Sequence, residues 1–178
     1  IQICFEYSDQ IMEMRSELLE TDRINYIHGS GNLQDYDDPK EWIRYVENIR
    51  HKETCPKNDV DSDVYLVLRK DDNRIIGFAA LRHHINDPLL NSWGGHIGYS
   101  VRPSERRKGY AHIILRLVLD CSFNLGIYNV LLTCNENNVA SEKTIIKAGG
   151  IYESTVIAKP FNMKMKRFWI KLDNKSKS

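Results

Sequence analysis

The stretch Gly98-Tyr99-Ser100-Val101-Arg102-Pro103-Ser104-Glu105-Arg106-Arg107-Lys108-Gly109-Tyr110-Ala111 carries the residue types best suited to chemistry. A strand pattern ended by Pro103 runs into a basic turn, and the small residues Gly109 and Ala111 open a helical pattern. Small side chains let backbone approach a ligand, and the first amides of a helix have no partner within it. Those N–H groups, at the positive end of the helix dipole, make an anion site that Arg106, Arg107 and Lys108 deepen. A diphosphate suits such a cradle. The turn lacks the Gly-Lys-Ser/Thr ending of a P-loop and the G-x-G-x-x-G of a dinucleotide loop. Taken alone, it fits a phosphate cradle and a solvated basic turn equally well.

Other chemistry-bearing residues are scattered. The cysteines, Cys4, Cys55, Cys121 and Cys134, form no C-x-x-C pair, so neither a zinc knuckle nor a dithiol site is indicated, and reduced thiols are expected. His83 and His84 are neighbours; on a strand they face opposite sides, and no metal site is expected. The net charge of +1 hides a split: residues 1–63 hold 15 Asp/Glu against 7 Lys/Arg, and residues 64–178 hold 9 against 18. Basic residues are not striped along one helix, which argues against nucleic acid. No apolar run approaches the roughly 20 residues that span a bilayer, and no signal peptide is visible. A soluble cytoplasmic protein is the expectation, with no membrane partner. At 178 residues the length suits one domain over 1–172, with 173–178 as a flexible tail.

The elements that must position the basic turn follow from periodicity. After an opening strand, Ser8 reads as a helix cap, with Ile11, Met14, Leu18 and Leu19 at helical spacing. Residues 28–38 form a Gly-rich acidic loop, and Pro39 opens a second helix with Trp42, Ile43, Val46 and Ile49 on one face. From Val64 the period changes. Val64–Leu68 and Ile75–Leu81 read as a hairpin, and His96–Val101 as a third strand. A helix over 109–125, a strand over Val130–Cys134 and a helix over Val139–Ala148 follow. Two antiparallel strands, Tyr152–Ile157 and Met163–Leu172, close the chain. The fold class is therefore α/β (α+β): a mixed, mostly antiparallel sheet of about seven strands flanked by about four helices. Phe168 and Trp169, taken as exposed, suggest a homodimer.

Arg106-x-x-Gly109-x-Ala111 after a Val-x-Pro strand resembles the Arg/Gln-x-x-Gly-x-Gly/Ala signature of the GCN5-related N-acetyltransferases. Asn138-x-x-Ser141 opens the next helix, and Lys147-Ala148-Gly149-Gly150 ends it where that family has Lys-x-Gly-Phe. The element order matches as well, so the resemblance covers nearly the whole chain and is strongest over residues 75–155. Gly94-Gly95-His96-Ile97-Gly98-Tyr99 with Leu81-Arg82-His83-His84-Ile85-Asn86 looks like a bacterial subgroup of acetyltransferases.

The resemblance implies an acetyl-CoA-dependent N-acetyltransferase, with acetyl-CoA as cosubstrate, no metal, and a primary amine of a small molecule or peptide as acceptor. Backbone groups of Tyr99, Ser100 and Val101 would pair with the pantetheine arm. The pyrophosphate would lie on Arg106, Arg107, Lys108, Gly109, Tyr110, Ala111 and His112, and Asn138 and Ser141 would serve the pantetheine side. Asn138 also reads as an N-cap. Acetyl transfer needs a base for the amine, a donor for the oxyanion and a proton for the thiolate. The family's frequent acid Tyr corresponds to Ile145, and a strand Glu used by some relatives corresponds to Thr133. The thiolate could leave unaided or take a proton from Tyr99, Tyr110 or Tyr152, with a strand N–H near Tyr99 as oxyanion donor. His96 is the leading candidate base, with Glu136 and His28 behind it; the other reading of His96 is a histidine bonded to backbone where two strands part. Cys134 reads as a buried structural thiol. Asp35, Asp37, Asp38 and Glu41 suit a cationic acceptor, and Arg82, His83 and His84 a carboxylate-bearing one. Loss of both the Tyr and the Glu leaves a second reading open, an inactive acetyl-CoA or CoA sensor.

Overall fold

Ile11, Met14 and Leu18 recur on one side of the first helical segment and are all buried, which sets α1, Ser8–Asp22, against the sheet. The computed structural model describes residues 1–23 and 25–173; positions 174–178 of the expected tail lie outside them. Pro39 begins α2, Pro39–Ile49, capped by the Asp38 carboxylate on the Lys40 amide. Its inward face presents Trp42, whose indole N–H donates to the carbonyls of Ser30 and Gly31 and so holds the 28–31 loop down.

Six strands follow: β1 (Ser62–Leu68), β2 (Ile75–Arg82), β3 (Ile97–Val101), β4 (Asn129–Asn135), β5 (Ile151–Ala158) and β6 (Met163–Lys171). Two further helices, α3 (Tyr110–Asn124) and α4 (Val139–Lys147), flank β4 in the chain. The strands form two antiparallel three-stranded sheets, in the orders β1-β2-β3 and β4-β6-β5. One apolar cluster lies beneath α1 and α2, and a second packs α3 and α4 against both sheets.

The α/β class holds, but the expected single mixed sheet of about seven strands is, among the described residues, two antiparallel sheets of three strands each, and three local differences accompany this. The opening strand shrinks to a single bridge, Gln2 to Tyr65, because residues Phe5–Tyr7 turn into a 3₁₀ helix at once. Ser8 does not cap α1: its hydroxyl donates to the Phe5 carbonyl, and Tyr7 holds the cap position. Phe168 is fully buried and the Trp169 indole donates to Glu153, so the pair gives no exposed aromatic patch for a dimer. Among the described residues no helix is long and apolar enough to cross a membrane.

Candidate cosubstrate cleft between two strands

β3 and β4 run side by side, with His96 beside Leu131 at one end and Tyr99 feeling the Cys134 thiol further along. They share no ladder, and each belongs to a different sheet. The cross-strand bonds fix which backbone groups face the gap. Arg82 donates to the His96 carbonyl and Arg102 to the Ile76 carbonyl, so in the antiparallel register residues 96, 98, 100 and 102 bond to β2. Ile97, Tyr99 and Val101 therefore turn their N–H and C=O groups towards β4, although the Val101 carbonyl accepts from Arg106 Nε at 3.3 Å. Ser100, expected to offer its backbone to a ligand, instead spends it on Phe78 in β2. Its buried hydroxyl has no partner among the described residues.

At the open end of the cleft lies the basic turn. Arg107 and Gly109 both adopt left-handed backbone, φ 63° and 85°, which swings successive amides outward; a Cβ on Gly109 would meet nothing within 4 Å. Among the described residues the amides of Arg107, Lys108, Gly109, Tyr110 and Ala111 donate to no protein acceptor. The His112 amide, expected in the same set, is closed onto the Gly109 carbonyl at 3.2 Å as the first bond of α3. An N-terminus of this kind favours an anion through both its bare N–H groups and its dipole.

The side chains around the turn are mostly committed elsewhere. Arg106 forms a two-pronged pair with Asp22 at the end of α1, both contacts at 2.6 Å. Lys108 and Arg69 both hold the buried Glu105 carboxylate. Arg102, fully buried, binds Glu13 and Glu17 of α1 at 2.7 Å each and the Ile75 carbonyl, while the Glu17 carboxylate accepts the Ser104 amide. Arg107 alone of the three basic turn residues makes no ion pair among the described residues. The cradle is thus a main-chain feature, pinned from behind by α1.

The other candidate groups sort by place. Asn138 caps α4, its side chain accepting from the Ser141 amide, and the Ser141 hydroxyl bonds the Tyr99 phenol at 3.1 Å. Burial raises the Tyr99 pKa against the lowering pull of Ser141 and Thr144, so the phenol stays protonated at neutral pH. Ile145, one turn on, is fully buried in the core. Tyr110 lies beside Arg69, and Tyr152 lies on β5, the far edge of the second sheet, bonded to Thr155. The Cys134 thiol is pushed up to about 11 by burial and by Glu142, which leaves it unreactive. His96 sits at the closed end: its amide donates to the Leu131 carbonyl, and its Nδ1 accepts from the Leu131 amide at 3.0 Å. Burial, and then the Arg82 charge, take it down to about 4. Its single neutral-state lone pair is therefore spent, and it is not free to serve as the expected base. Glu136 faces Lys164 outside the cleft. His28 borders the strand from the other side, where Gly29 packs on Gly98 so closely that a Cβ would come within 2.5 Å of the Gly98 carbonyl oxygen.

His83 and His84 lie just past β2 rather than on it, so both turn to Asp61, one to each carboxylate oxygen. His83 also meets Asp63 at 3.1 Å. The Asp63 contact raises its pKa against the opposing effect of burial, with Asp61 adding to the rise. Stabilisation from the charged imidazole is then complete below its unfolded value of about 6.5 and fades as pH rises through the higher folded value. We expect the urea midpoint of the wild-type protein to fall between pH 6 and 9 relative to His83→Gln. Parallel pH profiles would rule the contact out as a source of stability. Arg82 gives its guanidinium to the Gly94 and Gly95 carbonyls, so no basic side chain of residues 82–84 remains unengaged. Among the described residues no group of three or more His, Cys, Asp or Glu is disposed to hold a metal.

Similar architectures are known. The chain aligns with RimL, a ribosomal L7/L12 α-N-protein acetyltransferase solved with coenzyme A, at 15% identity and a TM-score of 0.69 over 97% of this chain and 92% of that one. A ribosomal-protein-S5-alanine acetyltransferase from Vibrio fischeri gives 15% and 0.68, over 98% of each chain. A variant of the spermidine N-acetyltransferase SpeG from Vibrio cholerae gives 17% and 0.61, over 92% of this chain and 90% of that one. No functionally curated protein matches by sequence. The model of the acetyltransferase (GNAT) family, however, matches residues 20–149. That span takes in the pinned turn, both parted strands and the two helices after them, and by it the chain belongs to the GNAT family of acetyltransferases.

Proposed function

We propose that the chain moves the acetyl group of acetyl-CoA directly to a primary amine of a small molecule or peptide, within one ternary complex in the cytoplasm. The observation that carries this reading is the row of five unclaimed amides, Arg107–Ala111, opening onto a strand whose Tyr99 backbone and Val101 N–H face a gap with no strand ladder across it. The diphosphate lies on that row. The pantetheine arm runs into the gap and pairs with Tyr99 and Val101 as a strand would. The acceptor enters from the opposite side, beside His28 and the loop over Gly98.

Attack by the neutral amine on the thioester carbonyl forms a carbon–nitrogen bond and an oxyanion, for which a β3 amide beside Tyr99 is the donor. Collapse breaks the carbon–sulfur bond. The thiolate leaves with the bonding pair, and the Tyr99 phenol, held against α4 at Ser141, is the proton source that replaces the tyrosine missing at Ile145. The proton lost by the amine passes to water or to His28, whose pKa is held down by its surroundings and by Arg82, so that its ring is neutral near pH 7. Commitment of Arg82, His83 and His84 to internal partners removes the basic groups expected to hold a carboxylate-bearing acceptor.

The test is thiol release from acetyl-CoA with a panel of polyamines, aminoglycosides, amino acids and amine-ended peptides. Release with at least one amine is expected. Tight coenzyme A binding with no release across the panel would favour the sensor reading instead, and salt-sensitive binding of DNA or RNA without a response to coenzyme A would overturn both.

A further inference from the structure

At the closed end of the cleft three successive backbone carbonyls turn to Arg82 rather than to β4. The Leu131 amide on β4 would ordinarily bond a carbonyl of the neighbouring strand. Gly95, however, adopts φ 70° and ψ −178°, a conformation open essentially to glycine. Its carbonyl and that of Gly94 accept from the Arg82 guanidinium, and the His96 carbonyl accepts from the Arg82 amide. The carbonyls of Gly94, Gly95 and His96 are thus all turned to Arg82. The His96 ring fills the vacancy: Nδ1 takes the Leu131 N–H at 3.0 Å, while the His96 N–H gives to the Leu131 carbonyl at 2.8 Å. One residue thus makes both bonds of a strand pair, one with backbone and one with side chain, and beyond it no ladder joins β3 to β4.

We propose that His96 is a positioning residue: its neutral imidazole joins β3 to β4 at Leu131 and so sets the apex of the cleft and the depth to which the acetyl thioester enters. The inference rests on the cosubstrate reading above. Protonation would turn Nδ1 into a donor facing a donor, and burial beside Arg82 keeps the ring neutral. A Cβ on Gly95 would come 2.8 Å from the Leu131 carbonyl oxygen, so the glycine is part of the same corner.

The experiment compares wild type, His96→Ala, His96→Asn and His96→Gln in the full chain. Asn places an oxygen acceptor where Nδ1 stands, whereas Gln places its own further out. Amide hydrogen exchange reads the joint itself. Protection at Leu131 should be lost in His96→Ala and His96→Gln and regained in His96→Asn. Retained protection in His96→Ala would overturn the proposal. Coenzyme A affinity, from ligand-induced thermal shift, should fall about tenfold in His96→Ala, the size expected for one buried hydrogen bond, and recover in His96→Asn. Loss of turnover in His96→Asn with Leu131 protection and coenzyme A affinity both normal would overturn it in favour of a proton-transfer role. A wild-type protein with a protected Leu131 that coenzyme A leaves unstabilised would overturn the cosubstrate reading, and with it the cleft-setting role, while leaving the joint demonstrated.

Discussion

Gly109→Glu should abolish stabilisation by coenzyme A. Gly109 sits at φ 85° in the middle of the amide row, with open space where a Cβ would project. Glutamate there brings a carboxylate into the volume the diphosphate needs and sets negative charge against it at the helix end. A ligand at one hundred times its Kd stabilises by about 2.7 kcal/mol, which for a chain of this size is a Tm rise of about 5–10 °C. That rise should vanish in the variant. Gly109→Ala separates strain from charge. It costs about 1–2 kcal/mol for left-handed backbone and lowers the Tm of the free protein, but retains most of the ligand-induced rise. An unchanged rise in Gly109→Glu would remove the diphosphate from this turn.

Arg102→Ala should be the most destabilising single change near the site. The guanidinium is fully buried and holds Glu13, Glu17 and the Ile75 carbonyl together. Removing it leaves Glu17, whose side chain is 24% exposed, without its main counter-ion. Breaking a buried pair from one side costs about 3–5 kcal/mol, and the partial exposure of both glutamates puts this case at the lower end. A Tm loss of about 6–12 °C follows. Because Glu17 also holds the Ser104 amide, coenzyme A affinity should fall too. Arg102→Lys retains the charge but not the fork, and should fall between. A Tm within a degree or two of wild type would show that α1 does not anchor the turn.

Much of the fold is legible in the sequence because its signals are local. The change from helical to alternating spacing at Val64, Pro39 at the head of α2 and Gly109 before α3 each announce an element through a short-range constraint. The amide row is legible for the same reason, since a left-handed glycine before a helix requires no distant partner. What escapes is decided by contacts across the chain. The commitment of Arg106 to Asp22 spans 84 residues and that of Arg102 to Glu17 spans 85, while Lys108 turns to Glu105, so a basic run that reads as free charge is partly neutralised by internal carboxylates. The His96 joint depends on which carbonyls Arg82 has taken, and nothing in the residue type announces that. The opening strand misleads because Ile1 and Ile3 alternate correctly, yet the 3₁₀ turn at Phe5–Tyr7 leaves too few residues for a ladder. The alternation that makes Ser100 unavailable becomes readable only when its register with Phe78 is known.

The most direct measurement is a titration of the isotope-labelled protein with coenzyme A, following backbone amide resonances, with pantetheine as the phosphate-free control. Coenzyme A should move the amides of Arg107 to Ala111 together with Tyr99 and Val101, whereas pantetheine should move the strand pair alone. Coenzyme A that bound while leaving residues 107–111 unmoved would contradict the account at its root.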